Sequence, residues 1–259
     1  MSSRQRNLEQ RHRSFVLKVN SRHRTNDGDS TTDFKIQLGK EVSNFKVSRI
    51  VLRSLNFLNS MYNINKYNNV LELITGADGL VSRTIPEGQY NITALITELQ
   101  GQFNVDFTNN LTIVQNSIQN TLTFSIDNGD IINFSNQNTS TMNSVLGIIN
   151  QVAGAATITT QQTPRLNGLT IATIESQALS PANYHVNGIN RNFLTSIQVA
   201  ADYGTYVRWE NFQAELASHN YAKPRKLDST IDIILRDQNE NIIDIQQQPI
   251  ELELILYHE

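Results

Sequence analysis

The side chains that could do chemistry in this sequence are five histidines, two short carboxylate pairs and one aromatic cluster. Their spacing decides against most reactions. His12, His23, His185, His219 and His258 are scattered and include no His-x-His pair of the kind a metal-binding β-barrel uses. Gly-x-Ser-x-Gly, a phosphate-binding Gly-rich loop ending in Lys-Ser/Thr, and His-Glu-x-x-His are all missing. The complete lack of cysteine removes thiolate nucleophiles, thiolate ligands and disulfides, and fits assembly in a reducing compartment. Glu251 and Glu253 stand at i, i+2 opposite an apolar strand face, which reads as a solvated or interface face rather than a catalytic pair. Asp127 and Asp130 flank Gly129 without the ligand spacing of a calcium loop, so they read as a turn. The sequence therefore predicts no catalytic residue, no metal ligand and no cofactor, and the chain reads as a non-enzyme.

Binding chemistry has two candidate sets. Trp209, with Tyr203, Tyr206 and Phe212, is either a stacking platform for a sugar or base, or packing in the core or between subunits. Charge supplies the other set. Arg4, Arg6, Arg11, Arg13, Lys18, Arg22 and Arg24 face only Glu9 within the first 24 residues, so that segment carries +6 although the whole chain is −3. A basic arm on an acidic body suits a polyanion, nucleic acid above all; a solvated tail is the other reading. Phe15, Val16, Leu17 and Val19 could anchor it as a short strand on a sheet edge. Lys223-Pro224-Arg225-Lys226 is a short basic run that reads as a solvated loop. Four Asn-x-Ser/Thr sequons begin at Asn91, Asn110, Asn133 and Asn138; with no apolar leader behind the basic N-terminus they read as chance matches in an Asn-rich chain. No apolar run approaches the length of a membrane span.

The elements that must position these residues are mostly strands. Phe34, Ile36 and Leu38 alternate with polar residues, and the folded body is expected to begin near Asp33. Lys46 to Leu58 is a longer, denser strand. Val70–Ile74 and Leu80–Ile85 flank Gly76 and Gly79 as a hairpin. A tight turn at Ile85-Pro86-Glu87-Gly88 then leads to the main helix, capped by Asn91, with Ile92, Leu95, Ile96, Leu99 and Phe103 on one stripe at the 3.6-residue period. Leu111–Gln115, Thr121–Ile126 and Ile131–Ser135 read as a three-stranded meander. Thr139–Ile149 reads as a short helix ended by Gly147, and Gln151–Leu169 as a long connection. Strands resume at Leu169–Ile174, Phe193–Ala200 and Tyr203–Phe212. Ile231, Ile233 and Leu235 alternate cleanly, and Ile250, Leu252, Leu254 and Leu256 share one face behind Pro249. About ten strands with one main helix and no βα alternation give an all-β sandwich or jelly roll.

The order of these parts resembles the single jelly-roll minor capsid (penton) proteins of virophages and polinton-like DNA viruses. The likeness rests on Asp29-Ser30-Thr31-Thr32-Asp33-Phe34-Lys35-Ile36-Gln37-Leu38, on the strand and Asn/Tyr loop from Ser54 to Asn65, and on Ile85-Pro86-Glu87-Gly88-Gln89-Tyr90 with Leu95 to Leu99. Leu146-Gly147 and the closing pair Ile231–Asp237 and Ile250–Leu256 complete it. The resemblance covers about residues 29–257 and departs from the pattern at Ile148, where an aromatic is common. Ahead of it, the charge pattern gives a basic N-terminal arm, disordered or extended, over residues 1–28. A single jelly-roll β-sandwich with one main short helix then fills 29–259, with room for an insertion or elaborated loops within about 101–168. The resemblance also implies a homopentamer that closes the five-fold vertices of an icosahedral capsid and contacts a double jelly-roll major capsid protein. The arm would face the interior of a virion assembled inside the host cell and contact genomic DNA or neighbouring capsid subunits. A receptor- or carbohydrate-binding jelly-roll module, such as a viral attachment head, is the alternative, and a sandwich-fold enzyme a third.

Overall fold

The computed structural model describes residues 13–26, 28–135, 139–149, 154–180, 183–186, 189–211 and 218–258. They fall into two compact units: one is built from the described residues up to Met61 and from Leu169 on, the other from Tyr62–Gly168. In chain order the first unit contributes β1 (Arg13–Asn20), β2 (Asp33–Gln37), α1 (Lys40–Ser43) and β3 (Lys46–Leu58). The second contributes β4 (Val70–Thr75), β5 (Gly79–Thr84), α2 (Ile92–Asn104), β6 (Leu111–Gln115), β7 (Leu122–Ile126), β8 (Ile132–Phe134), α3 (Asn143–Leu146) and β9 (Thr157–Thr159). The first resumes with β10 (Ile171–Glu175), β11 (Asn183–Val186), β12 (Ile189–Gln198), β13 (Tyr206–Glu210), β14 (Ser218–Lys226), β15 (Thr230–Arg236) and β16 (Ile250–His258).

In the first unit two antiparallel sheets enclose one core. One sheet runs β1-β16-β3-β13, with β14 also pairing β3; the other runs β11-β12-β10-β15-β2. Successive strands mostly switch sheets, and β1, β16, β3, β13 against β12, β10, β15, β2 is the strand order of a jelly roll. The predicted alternations hold because each puts its apolar set inward. Ile231, Ile233 and Leu235 of β15 and Ile250, Leu252, Leu254 and Leu256 of β16 are all buried against Phe34, Leu55, Phe57 and Ile174.

The main difference from the sequence reading lies at the start. The body begins at Arg13 rather than near Asp33, because Phe15, Leu17 and Val19 alternate inward on β1, which pairs β16 along all eight residues. Eight residues of the expected arm are therefore the first strand of the jelly roll. The strands β11 and β14 had no clear apolar period and were missed.

The second unit packs β5-β4-β8 and β6-β7-β9 with α2 around its own core. Its helix follows the sequence reading: the Asn91 side chain accepts from the Ala94 amide at 2.8 Å, and Leu95, Leu99 and Phe103 are buried. The unit spans 62–168, a wider stretch than the 101–168 expected for an insertion, and it contains the main helix. The meander does not form. After β7, Asn128 and Gly129 both take left-handed backbone, and Asp130 accepts from the Ala77 amide at 3.2 Å, so β8 leaves β7 and pairs β4. Short β9, hidden in the presumed connection, pairs β7 instead. Gly88 forms a two-way backbone bridge with Ile64 rather than only closing a tight turn. Gly147 ends α3 at φ 79°, and a Cβ there would collide with the Gln162 carbonyl.

Candidate functional site

Of the residues that the sequence singled out, Lys18, Glu251, Glu253 and Tyr206 lie on the outer face of the β1-β16-β3-β13 sheet. Register fixes the grouping. Lys18 lies opposite Glu253, Glu253 opposite Ser54, and Ser54 opposite Glu210, so one row crosses four strands from one sheet edge to the other. The Lys18 ammonium lies 3.1 Å from Glu253, and the Arg53 guanidinium lies 3.7 Å from the same carboxylate. The row thus reads Lys18, Glu253, Arg53, Glu210, with alternating sign. Next to it runs Asn20, Glu251, Asn56 and Arg208, where the Asn20 amide donates to Glu251 at 3.0 Å.

Arg53 joins the row through a bulge. Between the Ser54–Glu253 and Leu52–Leu254 pairs, β3 has one residue more than β16, and that residue is Arg53. The extra residue lets Leu52 and Leu55, three apart, both point inward while Arg53 and Ser54 share the outer face. Asn211 holds the bulge, its amide donating to the Arg53 carbonyl at 2.8 Å and its side chain to the Leu52 carbonyl at 3.3 Å. Arg53, Ser54, Glu210, Asn211 and Glu253 line a cleft of about 260 Å³. Sequence reasoning missed Arg53 and Glu210. The signal was present as a charged residue breaking the apolar run Ile50-Val51-Leu52-Arg53-Ser54-Leu55, the mark of a bulge on a core strand.

The basic segment is divided by the fold. Arg4, Arg6 and Arg11 lie outside the described residues. Arg13 opens β1, Lys18 is in the ion-pair row, Arg22 is exposed in a short 3₁₀ turn, and Arg24 donates to the Ser21 carbonyl at 3.2 Å. The segment is sewn down just after β1, where the buried Ser21 hydroxyl accepts from the Ile250 amide at 3.0 Å.

The aromatic cluster does not form one platform. Trp209 is half-buried against the core beside Val207, whereas Tyr206, opposite Leu58, is 63% exposed on the other face. Tyr203 stands in the preceding turn at 39% exposure, and Phe212 lies outside the described residues. The run Lys223–Lys226 is strand rather than loop. Lys223 and Pro224 lie within a large bulge of β14 and pairing with β3 resumes at Arg225; Tyr221 donates to the Leu179 carbonyl at 2.5 Å and Arg225 to the Ala178 carbonyl at 2.6 Å. These bonds tie β14 to the turn that follows β10 of the other sheet. Burial pushes the Tyr221 hydroxyl up from its ordinary range, and the hydrogen bond and charge of Arg225 pull the other way.

The carboxylates mostly brace loops. Asp232 accepts from the Gln177 and Ala178 amides, each at 2.9 Å, and lines a second cleft with Lys35, Asp228 and Thr230. Burial raises Asp33, a shift that Arg236 opposes and Asp29 and Asp232 reinforce. In the second unit, hydrogen bonds from Thr108 and Thr75 hold Asp78 below the usual carboxylate range. Partial burial pushes Asp130 up, but bonds from the Ile131, Ala77 and Gly76 amides and the Asn109 side chain outweigh it and lower the group. Glu251 and Glu253 sit on the outer face, as their opposition to the apolar set requires. His258 stacks on Phe45 at 4.5 Å, His23 is exposed, and the side chains of His12, His185 and His219 lie outside the described residues. Among the described residues no three His, Asp or Glu converge as metal ligands, and no helix is long and apolar enough to cross a membrane.

No family model and no curated protein sequence matches this chain. Among solved structures it is similar to the crystal structure of the mavirus penton protein. The two share 10% sequence identity and superpose over 95% of this chain and 100% of that one, with a TM-score of 0.51. At that identity the likeness is one of fold, and its extent takes in both the jelly-roll strands and the unit inserted between β3 and β10. The chain has an all-β, jelly-roll-like fold of the kind found in a viral penton protein.

Proposed function

We propose that the protein is a structural, non-enzymatic minor capsid protein. In this reading it is the penton subunit that closes the five-fold vertices of an icosahedral virion as a homopentamer, set among double jelly-roll major capsid subunits. The observation that carries the reading is the near full-length fold likeness to a penton protein. The binding chemistry agrees with it: ion pairs and tyrosines on strand faces suit protein contacts, and Arg4, Arg6 and Arg11 ahead of β1 suit a polyanion or an acidic capsid neighbour. Co-expression with the major capsid protein of the same virus, followed by electron microscopy, tests it. Five-fold rings and capped vertices are expected; two-fold dimers that never enter shells would refute it. A second reading, an attachment head for a receptor or carbohydrate, is favoured by the exposed Tyr203 and Tyr206. Replacing both by Ala would abolish cell or glycan binding in that case and leave capsid incorporation intact.

A further inference from the structure

We propose that copies of this chain meet head to tail along the two opposite edges of the β1-β16-β3-β13 sheet, β1 of one subunit beside β13 of the next. In this docking Lys18 faces Glu210. The inference rests on the ring assembly proposed above and names the surface that makes it.

Strand direction is the first support. Each neighbouring pair in this sheet is antiparallel, so β1 and β13 run in opposite directions. A second copy brought up by its β13 edge would therefore continue the antiparallel ladder without reversal. Two copies joined in this way present unlike edges to each other, the heterologous contact that a closed ring requires.

Charge is the second support. The row across the sheet alternates Lys18, Glu253, Arg53, Glu210, and it ends on opposite signs at the two edges. Both pairs at Glu253 are made within the subunit, whereas exposed Glu210 makes no ion pair among the described residues. Lys18 keeps 78% of its side chain exposed while touching Glu253. Setting Glu210 beside Lys18 extends the alternation by one step. Because side chains switch faces every residue, only registers that keep both on the outer face can do so. Joining β1 to β1, or β13 to β13, brings like charges together instead.

Two other edges, β14 and β2, are guarded. Strand β14 is broken by a bulge, contains Pro224, and has Tyr221 and Arg225 engaged with the turn that follows β10. On β2 the Lys35 carbonyl already accepts from the Thr25 amide. β1 is eight residues long, without proline or bulge, and β16 is its only strand partner among the described residues. Natural sheets rarely leave such an edge open. Beside the interrupted β14 and the engaged β2, β1 is the long, unbroken strand suited to receive the β13 edge of a neighbour.

The lack of cysteine makes the test clean. Directly opposed residues of an antiparallel pair stand about 4.5–5.5 Å apart at Cα, within disulfide range. The double variant Lys18→Cys/Glu210→Cys, assembled and mildly oxidised, should give a covalent ladder on a non-reducing gel that ends at the closed ring, while each single variant stays uncrosslinked. A dimer from Lys18→Cys alone or Glu210→Cys alone would mean a two-fold edge contact and overturn the proposal. Five-fold rings of the double variant without a ladder would overturn the edge pairing and leave the vertex role standing. No rings from wild type with the major capsid protein would sink both. As a second measure that needs no new bond, Glu210→Lys should weaken ring assembly by roughly three- to tenfold, and adding Lys18→Glu should recover it. Unchanged assembly by Glu210→Lys would also count against the contact.

Discussion

Replacing Ser21 by Ala should destabilise the sandwich unit by about 1–3 kcal/mol, the cost of leaving a buried backbone donor without its acceptor. Ser21 and Ile250 are both fully buried, and the Ser21 hydroxyl accepts the Ile250 amide at 3.0 Å where β16 begins. Alanine removes the acceptor and leaves an apolar site at a position water does not reach. For a domain of this size each kcal/mol moves the melting midpoint by about 2–4 °C, so a fall of roughly 2–12 °C is expected. Differential scanning calorimetry at fixed pH and salt measures it, and a urea titration should show a lower midpoint with an unchanged slope, the sign of a native-state effect. Arg11→Gln, ahead of β1, is the control. A Ser21→Ala midpoint within about 1 °C of wild type would refute the reasoning. It would return the basic segment to the status of a solvated tail, on which a Ser→Ala change costs almost nothing.

Asn91→Ala should cost the second unit about 1 kcal/mol, read by urea denaturation, since it deletes the cap on the Ala94 amide. Gly147→Ala should cost more than about 2 kcal/mol, because it adds a Cβ at a left-handed residue facing the Gln162 carbonyl; soluble yield and melting midpoint report it. Asp78 and Asp130 are held below the ordinary carboxylate range, so the folded state binds their protons less readily than the unfolded chain. The stability they contribute is present above their unfolded values, near pH 4, and is lost as the pH falls through the folded ones; Asp78→Asn should flatten the acid limb of a melting-against-pH curve. If the N-terminal segment binds duplex DNA, log affinity should fall linearly with log salt, with a limiting slope of about −5 when six net charges take part. Arg4, Arg6 and Arg11, all ahead of β1, changed together to Gln should flatten that slope and leave the melting midpoint nearly unchanged; equal binding by variant and wild type would rule out the DNA contact.

Local periodicity made much of the fold legible. The stripe from Ile92 to Phe103, the Asn91 cap, the alternation in β15 and β16 and the stop at Gly147 depend on neighbours a few residues away, and each forms as read. The class followed from counting such strands. Elements without a clean period were lost: β11 and β14 carry mixed polar residues and three-residue β9 is too short to show alternation, whereas β1, read as an anchoring edge strand of the arm, is a full strand of the body. Pairing was beyond reach for another reason. An antiparallel ladder joins main-chain groups that every residue carries, so the turn at Asn128-Gly129 could end the pairing with β7 but could not name β4 as the partner of β8. The same holds for the row on the sheet face. The sequence alone set the types and charges of residues 18, 53, 210 and 253; only the tertiary register brought them into line, because cross-strand neighbours are chosen by the burial of the opposite faces of their strands.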